Sequence, residues 1–180
     1  MTNSSESRNR EIHREEIERY GENPEKNLRR LRNLRISFLF TAFIIFTLYL
    51  LTPGLRPVFG DPSEYTVVAN QLGFAHPPGY AFITLLGKLA QTLIPFGAVS
   101  QRMHFLAALS ALAASLFAFG TIGTIGKHNS QFTIHNSLFI IIPAIFTALL
   151  IATSADIWQH AIHANPHILT AAFLMANLFF

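Results

Sequence analysis

The 180-residue sequence contains no cysteine and has few charged residues. The absence of cysteine excludes a disulfide framework, a cysteine-ligated zinc or iron–sulfur centre and a thiol nucleophile. Charged residues make up only 13% of the chain, against about 25% in an average soluble domain, whereas hydrophobic residues make up 51%. This composition excludes a disordered chain, a collagen-like chain and an ordinary cytosolic enzyme, and it indicates a membrane protein.

Most of the charges lie at the N-terminus. Residues 1–35 hold nine of the 13 Lys and Arg residues and seven of the 10 Asp and Glu residues. The sequence therefore predicts a polar tail over 1–35 and a membrane domain over 36–180. Because segments rich in Lys and Arg stay on the cytoplasmic side, the tail is predicted to be cytoplasmic. Nucleic acid is not an expected partner, since no aromatic residues alternate with the arginines.

Four apolar segments without Asp, Glu, Lys or Arg predict membrane-spanning helices, so the expected fold class is all-α and polytopic. They lie near residues 36–52, 103–122, 138–154 and 167–180. The first would cover about 26 Å at 1.5 Å per residue, close to the roughly 30 Å of a bilayer core. The fourth is still apolar at Phe180, which predicts an N-terminal part of a larger protein. The expected location is the plasma membrane of a prokaryote or the endoplasmic reticulum of a eukaryote.

The predicted outer loop, residues 53–98, contains six prolines and two stretches too short or too polar for spans. Residues 62–73 and 80–94 predict short helices at the membrane surface, although the second could instead enter the bilayer. The same orientation places residues 155–166 outside. Sparse polar residues thus share the outer face and predict a site there, with chance convergence as the alternative. They are Asp61, Glu64, His76, Arg102, Asp156, His160, His163 and His167.

Asp61 and Glu64 stand three residues apart in the string GDPSEY, so a helix beginning there would present both on one face. In a structural interpretation, Asp61 is the N-cap, Pro62 is the first helical residue and Glu64 completes a capping box. In a functional interpretation, a carboxylate held by the N–H groups of a helix N-terminus stays ionised and acts as a general base. The two roles can coexist.

Two further positions carry both a structural and a functional interpretation. The string AHPPGY, residues 75–80, predicts a rigid turn, and its His76 could bind a phosphate or orient Asp61. Arg102 opens the second predicted span, where it could reach to the membrane interface or bind a lipid-linked phosphate.

The string DIWQHAIHANPH, residues 156–167, spaces three histidines by three and four residues. That spacing predicts one helical face, if Pro166 permits, and a possible metal site, although no HExxH-type signature accompanies it. The alternative is a set of interfacial histidines beside Trp158 in an aromatic belt.

The stretch GDPSEYTVVANQLGFAHPPGYAFITLLGKLAQTLIPFG resembles the first outer loop of a family of GT-C membrane glycosyltransferases. This family was long listed as a domain of unknown function, and its animal members are protein O-mannosyltransferases. The matching residues are Gly60, Asp61, Glu64 and Tyr65, then Leu72, Gly73, 75–80 and 85–89. The likeness continues through RMHFLAALSALAA and IWQHAIHANPHILTAAF, so it covers most of residues 45–180.

The resemblance implies a multi-span GT-C-like fold and a sugar donor carried on a polyprenyl or dolichyl phosphate. It implies inverting transfer to a hydroxyl of a protein or glycan at the outer or lumenal face, with Asp61 at the position of the catalytic acid. The substrate-binding residues that we then expect are Glu64, His76, Tyr80, Arg102 and Trp158. Membrane lipid is an expected partner, and no cofactor is expected, with a divalent metal left open.

The sequence departs from the family pattern at four positions. Gln101 replaces an aromatic residue, His104 an asparagine, Asn165 a glutamate and His167 a tyrosine. If that glutamate binds substrate, this protein differs in substrate or has lost activity. Two other functions stay open: a non-enzymatic membrane protein, such as a transporter half or scaffold, and a metal-dependent hydrolase that uses the histidines.

Overall fold

The computed structural model describes residues 24–52, 59–128 and 138–180. Most of the predicted tail, the start of the predicted outer loop and part of the predicted turn after the second span lie outside the described residues. The helices are α1 (Pro24–Leu51), α2 (Asp61–Gln71), α3 (Ala81–Leu93), α4 (Val99–His128), α5 (Leu138–Thr153), α6 (Ala155–Ala161) and α7 (Pro166–Phe179). No strand occurs in these ranges, so the all-α prediction is confirmed.

Two of these helices are long and apolar enough to cross a membrane, over Leu28–Leu51 in α1 and Val99–Gly126 in α4. A third candidate consists of α5 and α6 together, which are bent by 62° at the break between them. The chain is therefore an integral membrane protein, as its composition predicts. The first predicted span forms only the second half of α1, because that helix begins at Pro24.

Residues 37–180 form one compact unit, and 24–36, the first turns of α1, belong to another. Small residues line the centre of the larger unit. α4 packs against α5 and α7, and it buries Ala107, Ala108, Ala111, Ala114 and Ala118. α5 buries Ala144, Ala148 and Ala152, four residues apart. Small side chains let helix backbones approach closely, which is how helices associate in lipid.

α2 and α3 form a helical pair that packs on α4. Their apolar cluster includes Tyr65, Ile83 and Met103, joined by Ala164 and Leu169 from the C-terminal part of the chain. Two polar bonds tie the pair together: Lys88 Nζ donates to the Asn70 carbonyl at 2.6 Å, and Gln91 Nε2 donates to the Thr66 carbonyl at 3.0 Å. Lys88 therefore satisfies a carbonyl at the end of α2, where a positive charge also suits the helix dipole.

α3 turns its apolar side outward. Its buried positions are Ile83, Thr84, Gly87 and Gln91, three of which are not hydrophobic. Its exposed positions include Phe82, Leu85, Leu89 and Leu93. A helix that faced water would show the opposite pattern, so this pattern is consistent with the predicted place of α3 at the membrane surface.

Candidate functional site

The site begins at the N-terminus of α2, where Asp61 is the first helical residue. Gly60 is the N-cap with a φ of +93°, a conformation that favours glycine. Gly60 has no side chain with which to cap the helix, and the Ser63 and Glu64 N–H groups donate to the Gly60 carbonyl. The predicted capping box is therefore wrong, because Asp61 lies inside the helix and not at the cap. Asp61 is exposed, and it has no hydrogen bond or ion pair with another described residue.

Glu64 joins α2 to the turn that precedes α3. Its Oε1 accepts a hydrogen bond from the His76 backbone N–H at 2.6 Å, and its Oε2 lies 2.8 Å from His76 Nδ1. The backbone bond first, and the ring bond second, hold the pKa of the Glu64 carboxyl below its ordinary value. Glu64 is therefore a carboxylate that fixes the position of His76.

Asp61, Glu64 and His76 come together at the surface. Each offers one oxygen or nitrogen ligand atom, and these three atoms lie within 4.8 Å of one another. Asp61 and His76 are exposed and Glu64 is half-buried. We call these three residues the acid–histidine cluster. It can accept a proton and it can attract a cation.

Two tyrosine rings lie beside the His76 ring of this cluster. Tyr65 lies 5.2 Å from Tyr80 and 5.9 Å from His76, and His76 lies 5.5 Å from Tyr80, all between ring centroids. Tyr65 is buried, and burial first, then its hydrogen bond with Tyr80, raises the pKa of its phenol. Tyr80 begins α3 with a φ of +44°. A non-glycine residue in that region is strained, and such residues concentrate at functional sites.

Tyr65 was missing from the predicted site residues, although it belongs to the GDPSEY string. It stands four residues after Asp61, so helical spacing brings it to the same face of α2. That spacing was the signal that would have identified it.

Arg102 lies at a different place, on the first turn of α4. Its Nη1 donates to the Gln91 carbonyl at 2.5 Å and its Nε to the Gly97 carbonyl at 3.2 Å. It lines a cavity of about 150 Å³ together with Tyr49, Phe96, Phe105 and His104, among others. No residue of the acid–histidine cluster lines this cavity. The structure therefore brings Glu64, His76 and Tyr80 to Asp61, but it does not bring Arg102 into that group.

A wider groove of about 470 Å³ runs between α2 and the start of α4. It is lined on α2 by Ser63, Thr66 and Asn70, among others, and on α4 by Val99 and Ser100. At 3.6 residues per turn, these α2 positions face away from Asp61 and Glu64. The groove is thus on the other side of α2 from the acid–histidine cluster.

The three histidines near residue 160 do not share a helical face. α6 ends at Ala161 and α7 begins at Pro166, so the condition for a shared face is not met, because Pro166 starts a new helix. His160 contacts His167, with ring centroids 5.5 Å apart. His163 instead contacts His104, which is 1% exposed, at 5.9 Å. A metal site formed by all three is not supported by this arrangement.

Trp158 lies within the helix bundle. Its ring centroid is 5.5 Å from that of Tyr49, and the Tyr49 hydroxyl donates to the Ala152 carbonyl at 2.8 Å. Tyr49 also lines the cavity beside Arg102. Trp158 therefore supports the wall of that cavity from behind.

Asn165, which replaces the family glutamate, has a clear structural role. It is the N-cap of α7, and its Oδ1 accepts a hydrogen bond from the His167 N–H at 2.9 Å.

We expect Asn165→Ala to lower the free energy of unfolding by about 1 kcal/mol, as loss of an N-cap commonly does. Asn165→Asp should retain the cap and serve as the control. Thermal unfolding in detergent, followed by circular dichroism, would measure both, and an unchanged alanine variant would contradict the capping role.

Similarity to known proteins covers this site. Residues 61–180 match the family described as protein O-mannosyl-transferase TMEM260 N-terminal domain. Over 70 residues the chain is 46% identical to the protein O-mannosyl-transferase TMEM260 of Mus musculus, and over 95 residues it is 34% identical to the protein of that name from Dictyostelium discoideum. These matches cover 38% and 51% of the chain.

The same matches span only 10% and 12% of the two relatives. No solved structure matches the chain. The family match, by contrast, extends over more than half of the chain and includes Asp61, Glu64, His76 and Tyr80. This chain therefore belongs to the protein O-mannosyl-transferase TMEM260 family, within its N-terminal domain.

Proposed function

We propose that the protein is a membrane glycosyltransferase that moves a sugar from a polyprenyl- or dolichyl-phosphate donor to an acceptor hydroxyl. The acceptor is a protein or a glycan, and the reaction takes place at the outer or lumenal face. The observation that supports this most is the surface carboxylate of Asp61, which has no partner among the described residues and stands beside His76 and two tyrosines. The names of the two relatives, protein O-mannosyl-transferases, support a mannosyl group and a protein acceptor.

In this proposal Asp61 is the general base. It accepts the proton of the acceptor hydroxyl while the hydroxyl oxygen forms a bond to the anomeric carbon. The bond from that carbon to the phosphate oxygen breaks, and its electron pair leaves with the lipid phosphate. A single displacement of this kind inverts the anomeric configuration. Proton transfer to a positioned side chain commonly accelerates a reaction by 10²–10⁴-fold.

Glu64, His76 and Tyr80 then position the acceptor or the sugar. A sugar ring can stack its C–H face on an aromatic ring, and the exposed ring of His76 and the half-buried ring of Tyr80 offer such a surface. Glu64 keeps His76 in place through its two hydrogen bonds. Asp61 and the rings of His76 and Tyr80 thereby lie on one surface of the α2–α3 pair.

Arg102 and the cavity beside it are proposed to hold the lipid phosphate. Arg102 lies outside the acid–histidine cluster, so the sugar would have to reach from this cavity to Asp61. A guanidinium has five N–H donors, and two of them are used by the Gln91 and Gly97 carbonyls. The remaining donors can bind phosphate oxygens. The aromatic and aliphatic walls of the cavity suit the first part of a prenyl chain, and Trp158 supports one of these walls.

We infer that the N-terminus lies in the cytoplasm and that α2 and α3 lie on the opposite side. The supporting observation is the row of arginines in the first half of α1, since Arg-rich flanks favour the cytoplasmic side. The chain would then cross the membrane several times, with the site on the face where lipid-linked sugars are used.

The experiment that tests the proposed donor uses the purified protein in lipid nanodiscs, supplied with either dolichyl-phosphate mannose or a nucleotide-activated mannose. Transfer to an acceptor protein is expected from the lipid donor alone.

Arg102→Gln should raise the KM for the lipid donor about tenfold, because one charge-assisted phosphate contact is lost. Arg102→Lys keeps the charge and should have the smaller effect. Transfer from the nucleotide sugar would overturn the donor assignment, and no transfer from either would favour a non-enzymatic role.

The alternative of a transporter half or scaffold assumes that Asp61 only caps a helix. Since Gly60, and not Asp61, holds the N-cap position, that assumption has lost its support. The alternative of a hydrolase built on the histidines required them on one face, and they lie on two helices and the connection between them.

A further inference from the structure

We propose that Asp61, Glu64 and His76 form a binding site for one divalent cation of the Mn²⁺ or Zn²⁺ type. This proposal goes beyond the transfer reaction, because it concerns an ion-binding property that the proposed role of Asp61 as base does not require. The three side chains come from two separate segments, α2 and the turn before α3, so their convergence is a property of the fold and not of local sequence.

The spacing of the ligand atoms is close to that of a coordination shell. Nitrogen and oxygen ligands lie about 2.0–2.2 Å from Zn²⁺, so neighbouring ligands are roughly 3–4 Å apart. The three ligand atoms of the cluster lie within 4.8 Å of one another. Side-chain rotations that move each atom by less than about 1 Å would complete the shell, and exposed side chains can make such movements.

The contact between Glu64 and His76 already brings two ligands together. Glu64 Oε2 lies 2.8 Å from His76 Nδ1, and one hydrogen bond joins the two atoms. A divalent ion can take the place of the proton in that bond, with the ring proton on Nε2, so that Oε2 and Nδ1 both bind the ion. Glu64 Oε1 keeps its separate hydrogen bond with the His76 backbone N–H, which holds the two segments together.

The charges of the cluster also favour a cation. Asp61 and Glu64 are two acids on one helical face, and like charges at this spacing repel. Among the described residues, the ion-pair partner of Glu64 is His76, and Asp61 has none. A bound divalent ion would offset the repulsion.

The donor set indicates the class of ion. One imidazole and two carboxylates suit Mn²⁺ or Zn²⁺ better than Mg²⁺ or Ca²⁺, which prefer oxygen ligands alone. Three protein ligands leave coordination positions open, and the exposure of the cluster leaves them accessible to water or to a phosphate oxygen. A carboxylate that binds the ion through one oxygen keeps its second oxygen available as a proton acceptor.

Metal titration of the purified protein in detergent tests this site. After treatment with EDTA and removal of the chelator, Mn²⁺ is added and the free ion is measured from its electron paramagnetic resonance signal. We expect one saturable Mn²⁺ per chain, displaced by Zn²⁺. Asp61→Asn and His76→Gln should each weaken binding at least tenfold, since loss of even an indirect contact commonly costs 10–100-fold.

Asp156→Asn is the matched control, because Asp156 is also an exposed acid beside a histidine, 3.7 Å from His160. It should bind Mn²⁺ as the unchanged protein does. Binding that never saturates, or that is equally strong in the Asp61→Asn protein, would overturn the proposal. Loss of transfer in Asp61→Asn without any saturable metal binding would reject the metal site and leave the role of Asp61 as base. Saturable binding without any transfer would support the metal site and reject the proposed function.

Discussion

Asp61→Asn is expected to reduce sugar transfer by about 10²–10⁴-fold, the usual cost of removing a general base. Asparagine has the same shape, but its amide cannot take up the proton of the acceptor hydroxyl. Because Asp61 is exposed and bonds to no other described residue, the fold should not change. The measurement is kcat with a lipid-linked donor in nanodiscs, together with a thermal unfolding curve for each protein.

The Asp156→Asn protein is again the suitable comparison, since it carries the same chemical change on α6. It should transfer sugar at the unchanged rate. Equal rates for Asp61→Asn and the unchanged protein would remove Asp61 from the chemistry. A lower rate together with a lower melting temperature would instead show that the carboxylate contributes to the fold.

Gly87→Ala is expected to lower the free energy of unfolding by about 1–3 kcal/mol, the usual cost of overpacking. Gly87 lies where α3 crosses α2 and α4. A Cβ there would be 2.7 Å from Met103 Sδ and 2.8 Å from Ala69 Cβ. Met103 can move its flexible side chain, but the Ala69 Cβ is fixed to the backbone of α2. The helices must therefore separate, which would also disturb the acid–histidine cluster.

Gly123→Ala provides the control for this variant. Gly123 is also a helical glycine, in α4, and apart from its own turn of helix no heavy atom of the described residues lies within 4 Å of the added Cβ. Without a clash, alanine in a helix is more favourable than glycine by about 0.5–1 kcal/mol. The two variants should thus shift the melting temperature in opposite directions. A stabilised Gly87→Ala protein would show that α2, α3 and α4 pack less tightly at Gly87 than these distances indicate.

Much of the fold could be predicted from the sequence, because apolar runs and prolines determine where helices form. The two short helices of the predicted outer loop, α2 and α3, lie where composition and turns indicated. The start of α2 was misplaced by one residue, since Gly60 can adopt the positive φ of the cap and a glycine N-cap leaves no side-chain signal. The break before the last helix was predicted at about residue 167 and lies at Pro166, but the N-cap role of Asn165 was not predicted, because Asn165 was interpreted only as a missing glutamate.

The site could be predicted in part. Asp61, Glu64 and His76 were expected on one membrane face, but their mutual contact depends on the path of the chain through residues 72–80. That path places two segments 12 residues apart in hydrogen-bond contact. Arg102 was expected near the same group, and its side chain is used instead at the end of α3. Local patterns contain no information about such choices between distant partners.

The outward leucines of α3 have a kinetic consequence. A helix whose exposed leucines contact the acyl chains has a fixed depth in the leaflet. Because Lys88 and Gln91 of α3 bond to α2, the depth of α2 is fixed as well. A carrier lipid also holds its phosphate at a set depth. Enzyme and donor would then meet by lateral diffusion in two dimensions, so the surface density of the carrier, and not its bulk concentration, would set the rate of encounter.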